Sequence, residues 1–151
     1  MKLEGEYLFN GPREDVWDMV RDPNALATAL PGTQSLTKIS DTEYEGAIGV
    51  RIGPVNGSFA GKLTVSNEVP PESCTLTVEG KGAAGFAKGV GHVKLEEVEP
   101  GKTLLKYTGD LNIGGKLAGV GQRLLDSVGK SMIRKGFESL DKTLAERIAA
   151  K

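Results

Sequence analysis

Between Thr33 and Ile113 the chain alternates apolar and polar residues with a period of two, and glycines keep recurring in the apolar phase of that alternation. Successive side chains of a strand point to opposite faces, so the phase assigns each residue to a side. In the first stretch Tyr44, Gly46, Ile48, Val50 and Ile52 share one face, while Glu43, Glu45 and Arg51 mark the wet one. Val55, Gly57, Phe59, Gly61, Leu63 and Val65 follow in the second stretch, and Cys74, Leu76, Val78, Gly80 and Gly82 in the third. Ala87, Gly89, Gly91, Val93 and Leu95 make the fourth inner set, and Leu105, Tyr107, Gly109, Leu111 and Ile113 the fifth. The 21 glycines of the 151 residues are roughly twice the usual share of about 7%. A glycine inside a strand packs nothing and costs backbone entropy, so its repetition on one face needs a cause. One cause is curvature, because glycines on a concave face let a sheet bend tightly. The other is capacity, since missing side chains leave room for a ligand. The two are compatible and write the same sequence.

Turn signals at Ser40-Asp41, Gly53-Pro54, Pro70-Pro71-Glu72 and Glu99-Pro100-Gly101 cut the alternating region into five or six antiparallel strands. Before it, Leu3 to Phe9 reads as a strand. Asn10 or Gly11 then caps a short helix with Pro12 in its first turn and Val16, Trp17 and Val20 on its apolar face. Asp22-Pro23 breaks that helix, Asn24 to Leu30 forms another, and Pro31-Gly32 stops it. After Gly114-Gly115 a helix of about 25 to 30 residues runs from near Leu117 to Ile148. It carries one stripe at Gly121, Leu125, Val128 and Met132 and a second at Ile133, Phe137, Leu140, Leu144 and Ile148, both expected to pack on the sheet. The fold class is α+β: one domain over residues 1–151, with a curved antiparallel sheet wrapped around a long C-terminal helix.

Composition removes several functions. A net charge of −1 from 19 basic and 20 acidic residues, dispersed rather than blocked, leaves no electrostatic footprint for nucleic acid. Cys74 is the only cysteine, which excludes an internal disulfide and a cysteine-based metal site and suits a reducing cytoplasm. Nowhere are there 18 consecutive apolar residues, and the N-terminus lacks the apolar core of a signal peptide, so membrane contact is expected to be peripheral. His92 is the only histidine and falls on the outer face with Lys94 and Glu96. A metal site is therefore not expected, and a Ser-His-Asp triad would have to use that one residue. Cys74 faces inward without a base beside it and reads as a structural thiol. Gly82-Ala83-Ala84-Gly85 and Gly114-Gly115 match neither a phosphate loop nor a dinucleotide fingerprint. No catalytic group and no cofactor emerge.

Asp22-Pro23, Leu30-Pro31-Gly32, the run from Gly53 to Lys62, Pro70-Pro71-Glu72, the run Gly82-Ala83-Ala84-Gly85-Phe86-Ala87-Lys88-Gly89 and the run Gly114-Gly115-Lys116-Leu117-Ala118-Gly119-Val120-Gly121-Gln122-Arg123 stand in the order of the CoxG family of carbon monoxide dehydrogenase subunits. The chain resembles that family over nearly its whole length, and the last two runs are the specific ones. The resemblance implies the START-like, helix-grip fold, in which a sheet of about seven strands grips a C-terminal helix over an apolar cavity. It further implies a non-catalytic accessory protein that links a molybdenum hydroxylase of the carbon monoxide or xanthine dehydrogenase type to the membrane and its quinone pool. Longer members carry a C-terminal extension that could anchor them, whereas this sequence ends at Lys151, soon after the helix.

The expected ligand is hydrophobic, a quinone or a lipid, held between sheet and helix. Ile48, Val50, Phe59, Leu76, Val78, Leu105, Tyr107, Leu125, Val128 and Met132 would form the wall, and Gly46, Gly61, Gly80, Gly91 and Gly109 the space. Tyr107 is either an inward polar handle for a ligand carbonyl or a structural core tyrosine. A lyase, cyclase or dehydratase, as in other helix-grip proteins, would need an inward acid or base, for which Tyr44, Tyr107 and Cys74 are the candidates. An assembly factor without a ligand is the third reading.

Overall fold

Each turn signal falls between two paired strands, and six strands rather than five span the alternating region. The computed structural model describes residues 1–30 and 32–151. It contains β1 (Lys2–Phe9), α1 (Arg13–Val20), α2 (Pro23–Ala29), β2 (Thr33–Lys38), β3 (Glu43–Ile52), β4 (Val55–Val69), β5 (Ser73–Gly82), β6 (Gly85–Glu99), β7 (Lys102–Gly114) and α3 (Gln122–Ala149). The strands form one antiparallel sheet in the order β1-β7-β6-β5-β4-β3-β2. The first strand therefore pairs with the last, and α1 and α2 carry the chain from one edge of the sheet to the other. Both short helices pack against α3, and α2 also meets β2.

Two helix ends differ from expectation. Helix α1 begins at Arg13 with Pro12 as its cap, in extended conformation and without a side-chain cap bond. Asn10 is drawn away because its backbone N–H and its side-chain amide both donate to Asp141 of α3. The orphan N–H of Arg13 instead donates to Glu97 Oε1, 3.0 Å away on β6. Distant chain thus does the work of a cap. Helix α2 is capped as its sequence suggests, with Asp22 accepting from the Asn24 N–H at 2.9 Å. Of its expected stop, Pro31 lies outside the described residues and Gly32 turns with φ 83°. The long helix starts later than Leu117. Gly115–Val120 forms a separate 3-10 turn, tied to the β5–β6 hairpin by Leu117 N–H donating to the Ala84 carbonyl at 2.9 Å. Gly121, at φ 98°, then breaks the axis before α3.

The apolar residues on the inner face do not form one core. A larger cluster holds Phe9, Val16, Trp17, Met19, Tyr44, Val65, Cys74, Leu95, Leu105, Leu140 and Leu144, with Leu36, Leu63, Leu76, Val93, Tyr107, Phe137 and Ile148 around it. A smaller one holds Ile52, Phe59, Leu117 and Leu125, with Ile48, Val50, Val55, Ile113 and Val128 at its margin. The two stripes of α3 explain the division: Leu125 and Val128 serve the smaller cluster, while Phe137, Leu140, Leu144 and Ile148 serve the larger. Met132 and Ile133, half-buried at the middle of the helix, belong to neither.

Candidate ligand site on the concave face

The strand register assembles the glycines into a floor. Directly paired residues of an antiparallel sheet share a face. Pairing places Gly46, Gly61, Gly80, Ala87 and Ile113 in one row across five strands. A parallel row runs through Val65, Leu76, Gly91, Gly109 and Leu3. Between them lie Leu63, Val78, Gly89 and Leu111. Six glycines are thus contiguous in the middle of the concave face. The larger cluster lies towards one end of the strands and the smaller towards the other. Val78 stands among these glycines and is 37% exposed, although Cys74 and Leu76, on the same face of the same strand, join the larger cluster.

The glycines differ in what a side chain would meet. A Cβ at Gly46 would fall 2.3 Å from the Ser35 carbonyl oxygen, one at Gly82 2.2 Å from that of Ser58, and one at Gly89 2.7 Å from that of Asp110. At these positions the sheet is bent so tightly that a neighbouring backbone occupies the space, and curvature alone accounts for the glycine. At Gly61 the approach to the Glu79 carbonyl is marginal, at 3.0 Å. At Gly80, Gly91 and Gly109 the nearest atoms lie at 3.8, 3.5 and 3.4 Å, ordinary contact that an alanine would tolerate. Curvature does not require glycine there.

The wall residues separate accordingly. Ile48, Val50, Phe59, Leu125 and Val128 lie in or beside the smaller cluster, Leu76, Leu105 and Tyr107 in or beside the larger one, and Val78 and Met132 in neither. Leu105 is deep in the larger cluster. The Tyr107 ring rests on Phe137 with centroids 5.6 Å apart, and its hydroxyl lies across β1 where Gly5 leaves room: a Cβ at Gly5 would come 2.5 Å from the phenol oxygen. Burial raises the Tyr107 pKa, so the phenol stays protonated and can donate. Tyr44 is already engaged, donating to the Arg21 carbonyl at 3.0 Å and accepting from the Arg21 guanidinium, which also pairs with Glu68 at 2.7 Å. The Cys74 thiol is pushed up by burial and by Glu68, with Arg21 opposing, and remains a thiol. His92 lies outside, as its alternation implies, with Nδ1 3.1 Å from Thr75 Oγ1. Among the described residues no group of three or more His, Cys, Asp or Glu is placed to hold a metal ion.

Alternation gave no hint of one further inward group. The Thr33 hydroxyl is buried on the concave side of β2 and has no hydrogen-bond partner among the described residues. Two open hollows, of about 370 and 670 Å³, lie on the outer face. The smaller is bordered by Thr75, His92, Lys94, Lys106 and Thr108, the larger by Lys62, Glu79, Lys81, Phe86 and Lys88 over the backs of Gly46, Gly61 and Gly80. Neither lies between the sheet and α3.

This architecture recurs in solved structures. A conserved protein from Geobacillus kaustophilus is 31% identical with a TM-score of 0.92, the alignment covering 97% of this chain and 96% of that one. A START superfamily protein from Mycobacterium smegmatis aligns at 12% identity and TM-score 0.73 over 96% of this chain and 97% of its own. The Zhui aromatase/cyclase from Streptomyces sp. R1128 aligns at 11% identity and TM-score 0.72 over 98% and 95%. The last two establish the helix-grip fold and nothing of the activity. No curated protein sequence matches the chain. The model of the CoxG family of carbon monoxide dehydrogenase subunits matches residues 5–145, and with the fold in agreement the chain belongs to that family.

Proposed function

We propose that this protein is a non-catalytic accessory carrier that holds a hydrophobic molecule, of quinone or lipid type, over the glycine floor between the sheet and α3. In this role it would pass electrons or cargo between a molybdenum hydroxylase of the carbon monoxide or xanthine dehydrogenase type and the quinone pool. The observation that carries the reading is the interruption of the core. Two apolar clusters flank a floor of glycines, and Val78 upon it is 37% exposed on the side that faces the helix. Three of the floor glycines have room for a side chain they lack, which favours capacity over curvature alone. An apolar concavity with few polar groups fits a hydrophobic ligand better than a reacting one. Of the three inward acid or base candidates, Tyr44 is held by Arg21 and Cys74 is kept protonated, which also favours carriage.

No helix among the described residues is long and apolar enough to cross a membrane. The apolar stripes of α3 are committed to the two clusters, so a direct lipid contact through them would open the core. Contact with the membrane would then go through the cargo or the partner. Native mass spectrometry of protein purified without detergent is the test. An adduct with the mass of a quinone or lipid supports the carrier. Protein that carries no adduct, and takes none up from a quinone and phospholipid extract, would leave the assembly-factor reading in its place.

A further inference from the structure

We infer that Thr33 Oγ1 is the polar anchor of the concave site and donates a hydrogen bond to an acceptor, a carbonyl or ether oxygen, on the head of the bound molecule. The inference rests on the carrier reading above and adds to it the residue that orients the ligand. Its first support is the state of the hydroxyl. A buried hydroxyl normally finds a partner, and the comparable ones here do: Thr103 Oγ1 donates to the Gly11 carbonyl at 2.8 Å and Tyr44 to that of Arg21. Thr33 Oγ1 has none among the described residues.

The second support is how the chain brings it there. Leu36 pairs with Gly46 and Ser35 with Ala47, so an unbroken register would set Gln34 against Ile48 and Thr33 against Gly49. Gly49 alternates with Ile48 and looks outward, so Thr33 would then turn its hydroxyl to water. Instead the register slips between Thr33 and Ser35, and Thr33 stands opposite Ile48 on the concave face. Gln34 is sent outward, where its Oε1 accepts from Ser58 on the wet side of β4. Such a slip re-aims a side chain, and this one exchanges a solvated residue for a buried hydroxyl. The backbone around it is pinned. Gly32, at φ 83°, admits no side chain, its Cβ position lying 2.2 Å from the Gly49 carbonyl, and Gly49 N–H donates to the Gly32 carbonyl at 2.8 Å. Threonine is also stiff at χ1. The hydroxyl is therefore held, without a protein partner, beside Ile48 at the β2 side of the floor, across the sheet from Tyr107.

The test uses two probes of one shape, 2-methyl-1,4-naphthoquinone and 2-methylnaphthalene, which differ in the carbonyl oxygens. Titration calorimetry follows their binding to wild type, Thr33→Val and Thr33→Ser. Thr33→Val keeps the shape and deletes the hydroxyl. It is expected to weaken the quinone about fivefold and leave the hydrocarbon unchanged, while Thr33→Ser retains the quinone affinity. The melting temperature of ligand-free Thr33→Val should equal or exceed that of wild type, because an unpartnered buried hydroxyl has been removed. If Thr33→Val lowers it, Thr33→Ala, which adds no bulk, repeats the comparison. Unchanged quinone affinity in the hydroxyl-free variant overturns the anchor and leaves the carrier reading standing. If neither probe binds wild type, the carrier reading fails and the anchor falls with it.

Discussion

Gly82 and Gly80 are two residues apart on one face of one strand, and they are glycine for different reasons. At Gly82 a neighbouring carbonyl lies 2.2 Å from where a Cβ would be, whereas at Gly80 the nearest atom is 3.8 Å away. The first is a consequence of bending, and Gly46 and Gly89 belong with it. The second, with Gly91 and Gly109, marks space that the bend does not consume. A glycine-rich concave face is therefore a mixture of hinge positions and vacant positions, and only the geometry of the adjacent strand sorts them. The distinction matters because curvature makes the grip, whereas vacancy gives the grip something to hold.

The largest expected difference between the two sets is in stability. Gly82→Ala and Gly46→Ala each drive a methyl into a backbone carbonyl that cannot swing aside, and each should cost about 2–3 kcal/mol in urea unfolding. Gly80→Ala should cost far less. Equal losses at Gly80 and Gly82 would end the division between the two sets. Binding should separate them next. Gly80→Val and Gly91→Val add bulk over the floor at positions with room for it, and a β-branched residue suits a strand. Stability should stay within about 1 kcal/mol of wild type, while affinity for a hydrophobic probe falls about tenfold, or 1.4 kcal/mol. Fluorescence titration with that probe reads the second number. Full affinity in both folded variants would mean the floor is not where the ligand lies. Gly61→Val is a poorer choice, because its 3.0 Å approach to the Glu79 carbonyl confounds folding with capacity.

Much of this frame is legible in the sequence because period-two alternation is a local signal. The inner faces of β3 to β7, the hairpin turns, the outward His92 and the double stripe of the last helix all follow from residue type and spacing. What the sequence hides is whatever depends on another strand. Gly80 and Gly82 read identically until the β4–β5 register says which carbonyl lies above each one. Alternation cannot place Thr33, since the slip in β2 reverses its facing. The cap of α1 is hidden for the same reason, because Glu97 reaches it from the far end of β6. Met132 and Val78, both expected in the wall, are set apart from the two clusters only by the way the long helix spans the gap between them.

A smaller effect is expected at Tyr107, which borders the floor from the side of the larger cluster. Tyr107→Phe keeps the ring against Phe137 and removes one hydroxyl. If that hydroxyl serves the ligand, affinity for the naphthoquinone should fall by about 0.5–1.5 kcal/mol with stability unchanged. Unchanged affinity would move Tyr107 from the vacant part of the face to the packed part.

The smallest effect tests whether the packed end is as separate from the floor as the two clusters suggest. Arg147, near the end of α3, donates to the Asp22 carboxylate that caps α2, and so ties both helices beside the larger cluster. Burial pushes the Asp22 carboxyl up, but the hydrogen bonds from Arg147 and from the Asn24 N–H, with the Arg147 charge, together hold it below its ordinary 3.8. A carboxyl lowered by folding contributes stability that is present above its unfolded pKa and is lost as the pH falls through the lower folded value. Asp22→Asn retains a good capping side chain and deletes the charge. Above pH 5 the variant should be less stable than wild type by at most about 1 kcal/mol, since the pair is open to water. Below pH 3 the difference should shrink, as the wild-type carboxyl protonates and loses the same interaction. Urea unfolding at pH 6 and at pH 2.5 measures both ends. Probe affinity at neutral pH should not change, because the pair touches neither the floor nor the smaller cluster; a variant that keeps its fold but loses the probe would show that the packed end and the vacant floor are one coupled unit.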